Sequence, residues 1–188
     1  MKFNANKLAK MGMLSALSII LMMLVRFPII PAAPFLEYEP ADVPILIGTF
    51  LYGPIEGLII TIVVSVIQAL TVSSRSGWIG AVMHIVATGS FVIIAGWIYK
   101  RIHTLKGAII ALVAGSFSMT VVMVGLNLYV TPKFLNTPVE VVIGLLLPAI
   151  IPFNLIKSFG NSLIVMLVYK SIGRILKIPQ KKTNHSFK

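Results

Sequence analysis

Apolar runs of about 20 residues recur along this chain, and they restrict it to a membrane-spanning fold. Of its 188 residues, 57% are hydrophobic and only 11% are charged, and the mean hydropathy is +0.98. Soluble domains carry about 25% charged residues. Because lipid offers the backbone no hydrogen-bond partners, segments of this composition cross a bilayer as helices. We therefore predict an all-α integral membrane protein.

Prolines and polar residues divide the chain into a predicted bundle of six transmembrane helices, in a single domain of residues 1–177. The spans are expected at about 8–25, 43–52, 55–72, 78–99, 107–130 and 152–172. The prolines Pro148 and Pro152 are expected to separate the last span from a half-buried or re-entrant segment that precedes it.

The first connection is predicted to be a long extracellular loop. Pro28, Pro31 and Pro34 favour an extended backbone there. The apolar run before it lacks a small-residue cleavage pattern, so we expect it to stay as the first helix rather than act as a signal peptide. Residues 178–188 are predicted to form a polar cytoplasmic tail.

Lysine and arginine are distributed unequally between the predicted loops, which indicates the orientation of the chain. The side that carries both termini has 12 of the 16 basic residues: Lys2, Lys7, Lys10, Lys100, Arg101, Lys106, Lys170, Arg174, Lys177, Lys181, Lys182 and Lys188. The other side has Arg26, Arg75 and Lys133, with four of the five acids. We expect a multi-pass cell-membrane protein with both termini in the cytoplasm. The net charge of +11 then needs no nucleic-acid partner.

Polar residues form a stripe in the sixth predicted span. Asn154, Lys157 and Asn161 are spaced i, i+3 and i+7, so they share one helix face, with Lys157 one turn in from the outer end. Asn127 is expected near the outer end of the fifth span. Polar groups inside a membrane are costly and commonly mark a functional site. The alternative is that the asparagines bond neighbouring helices while Lys157 extends its ammonium group to the interface.

We interpret the stripe as part of a ligand pocket at the outer face. The first loop would contribute carboxylates to it. The walls would be aromatic and aliphatic, from Phe35, Leu36, Tyr38, Pro44 and Leu46. Such a pocket suits a planar, heteroatom-rich small molecule with a hydroxylated tail.

The sequence contains no recognisable catalytic set. Cysteine is absent, the three histidines are far apart, and no glycine-rich phosphate loop occurs. Serine and lysine occur without a plausible nucleophile–base pair. We therefore predict that the protein is not an enzyme and holds no metal.

Small residues follow one face of the first span. Ala9, Gly12 and Ala16 allow close approach of another helix. Two interpretations stay open, which are packing within the bundle and docking of a second membrane protein.

Together these features resemble the substrate-binding S components of energy-coupling factor (ECF) vitamin transporters. The likeness covers residues 8–177 and includes the six spans, the long outer loop, the small-residue face and the polar stripe. Residues 37–44 (EYEPADVP) and 154–161 (NLIKSFGN) are most similar to the riboflavin-specific members.

The resemblance implies a subunit that captures riboflavin outside the cell beneath a loop that acts as a lid. Asn127, Asn154, Lys157 and Asn161 would hydrogen-bond the flavin, Glu37 or Asp42 would bind its ribityl hydroxyls, and Leu36, Tyr38, Pro44 and Leu46 would line the ring. Ala9, Gly12 and Ala16 would dock a transmembrane coupling subunit, which works with two ABC-type ATPases. Riboflavin is then the transported ligand, and no cofactor is expected.

Three other functions remain open at this point. The chain could be an S component for another vitamin, although Trp78 and Trp97 lie outside the first loop, where thiamine would need them. It could be a structural membrane protein whose stripe joins helices. A proton-coupled carrier is less well supported, because Glu56 and Glu140 lie near span ends rather than within a span.

Overall fold

The computed structural model is a bundle of helices with one short hairpin, and it describes residues 4–71 and 77–175, with side chains up to Val168. The elements are α1 (Ala5–Leu24), β1 (Phe27–Pro28), β2 (Glu37–Tyr38), α2 (Asp42–Tyr52), α3 (Pro54–Leu70), α4 (Gly77–Arg101), α5 (Leu105–Leu135), α6 (Val139–Leu145), a π-helical turn (Leu146–Ile150) and α7 (Ile151–Ile175). The predicted tail of residues 178–188 and Arg75 lie outside the described residues.

Within the described residues, four helices are long and apolar enough to cross a membrane: Ala5–Leu24, Gly77–Arg101, Leu105–Leu135 and Val139–Val168. Two shorter apolar helices, α2 and α3, accompany them. Large apolar side chains point outward along the bundle, as at Val121 (70% exposed) and Leu167 (69% exposed). Since water would penalise such a surface and lipid would not, the prediction of a helical membrane protein is supported.

The first four predicted spans agree with α1 to α4 to within about three residues at each end. The predicted end of the fifth span was wrong, because α5 continues through Pro132 to Leu135. It stops at Asn136, which adopts a left-handed conformation with φ of 51° and donates its N–H to the carbonyl of Pro132. A left-handed residue of this kind is a common helix terminator.

The predicted break at Pro148 and Pro152 was also wrong. The backbone continues from Val139 into α7 through the π-helical turn, where the N–H of Ile151 donates to the carbonyl of Leu146. This wider turn accommodates prolines that cannot donate to the ordinary ladder. Lys157 therefore lies 18 residues from the first residue of α6, about 27 Å along the helix, rather than one turn from its end.

The loop between α1 and α2 enters the bundle rather than covering it from outside. Its arms pair as β1 and β2, with Phe27 opposite Tyr38. The following helix α2 has 11 residues, about 16 Å in length, and every residue from Asp42 to Phe50 is buried. Asp42, the first residue of α2, is 1% exposed, so this helix begins inside the protein.

Candidate ligand-binding site

The polar stripe faces the interior of the bundle. Asn154, Lys157 and Asn161 lie on α7 with exposures of 1%, 7% and 0%. A cation and two amides buried so completely each need hydrogen-bond partners. The partners of Lys157 and Asn161 come from the first loop and from the start of α2.

Lys157 forms an ion pair with Glu39, a loop residue that sequence reasoning did not select. The Nζ atom of Lys157 is 3.3 Å from Oε1 of Glu39, and both side chains are less than a tenth exposed. Gln68 of α3 donates to both oxygens of Glu39, at 3.2 and 3.3 Å. Glu39 could have been expected from the need of a buried lysine for a carboxylate, but spacing alone does not choose among the loop acids.

Asp42 lies at the meeting point of four helices. Its Oδ1 accepts from Thr88 at 3.0 Å and lies 3.1 Å from Nε2 of His84, while Oδ2 accepts from Asn161 at 3.1 Å. His84 in turn contacts the hydroxyl of Ser65 through Nδ1, at 2.7 Å. The network ties α2 to α3, α4 and α7, and it gives His84 and Thr88 roles that the sequence did not indicate.

Glu37 lies apart from this buried network. On β2 it accepts a hydrogen bond from Nε of Arg26 at 2.6 Å, and its side chain is 36% exposed. The structure therefore brings Glu39 and Asp42 to the stripe and places Glu37 at the rim of the loop.

Tyr38 connects the hairpin to the stripe. Its hydroxyl donates to Oδ1 of Asn161 at 2.9 Å, and its ring lies 5.6 Å from that of Phe27. Burial raises the pKa of this phenol, although the charge of Lys157 acts in the opposite direction. The hydroxyl thus remains a donor at neutral pH.

One buried acceptor on the stripe has no partner among the described residues. The Nδ2 atom of Asn154 donates to the carbonyl of Ile150 at 2.8 Å, whereas its Oδ1 makes no hydrogen bond there. An unsatisfied buried acceptor is uncommon and costs free energy. A hydrogen bond donated by a ligand would satisfy it. The described hydrogen bonds of Asn127, by contrast, lie within α5, to Met123 and Thr131.

The predicted apolar wall divides between two packed clusters. Leu36 and Tyr38 pack beside Phe153 of α7 in a cluster beneath the loop. Leu46 belongs to the main core between the helices, and Pro44 is buried on the same helix α2. The two clusters flank the polar groups rather than forming one continuous surface.

The small-residue face of α1 points away from the bundle. Ala9, Gly12 and Ala16 are exposed, while Met11 and Ser15 face inward. A Cβ atom added at Gly12 would meet no atom within 4 Å. Among the described residues, this face is therefore not packed against another helix of the bundle, which was one of its two interpretations.

The fold and this cluster define a small helical membrane protein with convergent polar groups buried beneath the loop that joins α1 to α2. The chain belongs to the family of ECF transporter substrate-specific components, whose model matches residues 6–169. The family resemblance noted from the sequence is thereby confirmed.

Two relatives indicate which members of the family this chain resembles in sequence. It is 34% identical over 181 residues to the riboflavin transporter RibU of Streptococcus thermophilus, covering 92% of this chain and 85% of that protein. It is 28% identical over 171 residues to the riboflavin transporter FmnP of Bacillus subtilis, covering 87% and 90%. A solved S component of a bacterial ECF transporter superposes with a TM-score of 0.78 at 32% identity, covering 92% of this chain and 98% of that one.

Proposed function

We propose that this protein is the riboflavin-binding S component of an ECF transporter, which captures the vitamin outside the cell and delivers it inward. The similarity to riboflavin transporters over nine-tenths of the chain supports this proposal. The proposed site comprises Asn154, Lys157 and Asn161 of α7, Asn127 of α5, Leu36 and Tyr38 of the loop with Glu37 at its rim, and Asp42, Pro44 and Leu46 of α2. We now add Glu39 to this set.

The observation that carries the proposal is that a buried cation and an unsatisfied acceptor lie side by side on one helix face. Lys157 supplies N–H donors, and Asn154 supplies a free carbonyl oxygen one turn away. The flavin ring system carries an imide N–H between two carbonyl oxygens, so it needs both an acceptor and donors. Each hydrogen bond to a charged group contributes about 1.5–3 kcal/mol, so several could support nanomolar binding, about −12 kcal/mol.

The loop would act as a lid that exchanges its own contacts for those of the vitamin. Glu39 engages Lys157, and Tyr38 engages Asn161. A flavin that hydrogen-bonds Lys157 and Asn161 replaces these partners, and the released carboxylates of Glu39 and Asp42 can accept from ribityl hydroxyls. Opening would need the loop to lift from α7, where Leu36 packs against Phe153.

The proposed topology has six membrane crossings with both termini in the cytoplasm and the first loop outside. The four long apolar helices together with α2 and α3 supply six segments. The 12 to 3 distribution of basic residues supports the orientation. Uptake would further require a membrane-embedded coupling subunit, docked on the exposed face of Ala9, Gly12 and Ala16, and two ABC-type ATPases that supply the energy.

The first test is a visible absorption spectrum of the purified protein, followed by titration with riboflavin while its fluorescence is recorded. Flavin absorbance that co-purifies, or saturable quenching at nanomolar concentration, is the expected result. A colourless protein that leaves riboflavin fluorescence unchanged would contradict the proposal. The same titration with a panel of other vitamins would then identify a different ligand or support a purely structural role.

A further inference from the structure

The end of the bundle opposite the polar cluster contains a cavity of about 560 Å³. It lies between the turn that joins α2 to α3 and the last turns of α4. Tyr52, Glu56, Trp97, Lys100 and His103 are among its lining residues. Asp42 and Tyr52 are the two ends of α2, so the cavity is separated from the polar cluster by the length of that helix.

Two glycines shape the wall of this cavity. Gly53 makes the turn with a φ of 118°, a conformation that favours glycine. A Cβ atom added at Gly96 would lie 2.8 Å from Cα of Pro54, so the turn packs directly on α4. The cavity is thus bounded by closely packed backbone, so its shape is set by the backbone rather than by side-chain rotamers.

The charge at the cavity favours an anionic occupant. Its carboxylate, Glu56, is already paired with Lys7 at 2.6 Å and is only 8% exposed. The exposed cation Lys100 also lines the cavity, together with the exposed ring of His103, whose N–H can donate to an anion. Arg101 adds a further positive charge beside it, with its guanidinium 5.7 Å from the centre of the Trp97 ring.

The rim of the cavity is apolar as well as cationic. Trp97 is 53% exposed and Ile55 is 47% exposed, and both line it. Tryptophan at the end of a membrane helix commonly lies at headgroup depth. A free phosphate would make no use of these apolar side chains, whereas a phospholipid would use both the cations and the apolar rim.

We propose that this cavity binds the headgroup of an anionic phospholipid. The phosphate lies against Lys100 and His103, and the acyl chains follow Ile55 and Trp97 into the bilayer. Basic pockets between membrane helices bind anionic headgroups in other proteins. The site is separate from the vitamin cluster and does not depend on the identity of the transported ligand.

The test is native mass spectrometry of the full-length protein released from nanodiscs that contain equal amounts of phosphatidylglycerol and phosphatidylcholine. We expect phosphatidylglycerol to be retained preferentially. Lys100→Ala should lower its retention about fivefold. Lys106→Ala is the matched control, because it removes one exposed charge from the same basic connection without lining the cavity. Circular dichroism verifies that both variants keep their helices.

Three results would overturn the proposal. Equal retention of the two lipids would show that the cavity does not select an anionic headgroup. Equal losses in Lys100→Ala and Lys106→Ala would show diffuse attraction to the membrane surface rather than a site. Stabilisation of the detergent-solubilised protein by inorganic phosphate alone, to the same extent as by phosphatidylglycerol, would identify a free-phosphate site.

Discussion

Lys157 and Glu39 can both be buried because each neutralises the other. Their side chains are 9% and 6% exposed, and removing either one leaves an unpaired charge inside the bundle. Breaking a buried pair in this way costs about 3–5 kcal/mol, whereas replacing both partners can be nearly neutral. This asymmetry allows a role in folding to be separated from a role in ligand binding.

Comparison of Lys157→Met with the double variant Lys157→Met/Glu39→Gln makes that separation. The single variant should lose thermal stability and at least about tenfold in riboflavin affinity, since a charged hydrogen bond is worth about 1.5–3 kcal/mol. The double variant should recover stability but not affinity. Calorimetry and fluorescence titration measure the two effects. Recovery of full affinity in the double variant would show that Lys157 serves only to hold the loop.

Asn154 offers a test on the unsatisfied acceptor. Its Oδ1 has no partner among the described residues, so Asn154→Leu removes a buried acceptor whose burial costs free energy. We expect the melting temperature without riboflavin to stay nearly constant, because relief of that cost offsets the loss of the bond from Nδ2 to the carbonyl of Ile150. Affinity should fall about tenfold, the equivalent of roughly 1.4 kcal/mol. An unchanged dissociation constant would remove Asn154 from the site.

The hairpin of β1 and β2 is a short element whose attachment to α7 depends on Tyr38. Tyr38→Phe keeps the ring beside Phe27 but removes the hydroxyl that donates to Asn161. Losing one neutral hydrogen bond costs about 1 kcal/mol, and riboflavin must displace this bond to reach Asn161, so the loop should open more readily and riboflavin should associate about fivefold faster. Stopped-flow fluorescence measures this rate. Slower or unchanged association would argue against a lid held by Tyr38.

The exposed face of α1 makes a prediction about assembly. Gly12→Leu should leave riboflavin affinity intact, since no atom lies within 4 Å of the added Cβ, but it should prevent close approach of the coupling subunit. Gly125→Leu on α5 is the matched control, because that glycine is equally open. Co-purification with the coupling subunit and ATPases reports the result. Loss in both variants, or in neither, would contradict docking through α1.

At the level of whole helices, the apolar runs were sufficient to predict α1 to α4. They were insufficient for α5 and α7, where Pro132, Pro148 and Pro152 were read as helix ends. Proline removes one donor and crowds one turn, but a neighbouring π-helical turn or a packed bundle can absorb that cost. Whether it does so depends on contacts with other helices, which local sequence patterns do not contain.

For the whole molecule, the distribution of basic residues predicts orientation. A reporter domain fused after residue 188 should be active only if it is a reporter that functions in the cytoplasm. The variant Phe35→Cys should react with a membrane-impermeant thiol reagent added outside the cell. The chain lacks native cysteine, so a single introduced thiol gives an unambiguous signal. An external C-terminus would refute the orientation that we infer from 12 basic residues against 3.

Local patterns in the sequence were enough to predict that this protein lies in a membrane and to place one face of its site. Long apolar runs cannot remain in water, and the i, i+3, i+7 spacing places Asn154, Lys157 and Asn161 together on any helix. The three-dimensional packing was needed to show that Glu39 rather than Glu37 pairs with Lys157, and that His84 and Thr88 contact Asp42. These contacts join residues 42 to 118 positions apart. They depend on the path of the loop and the short length of α2, which local periodicity does not specify.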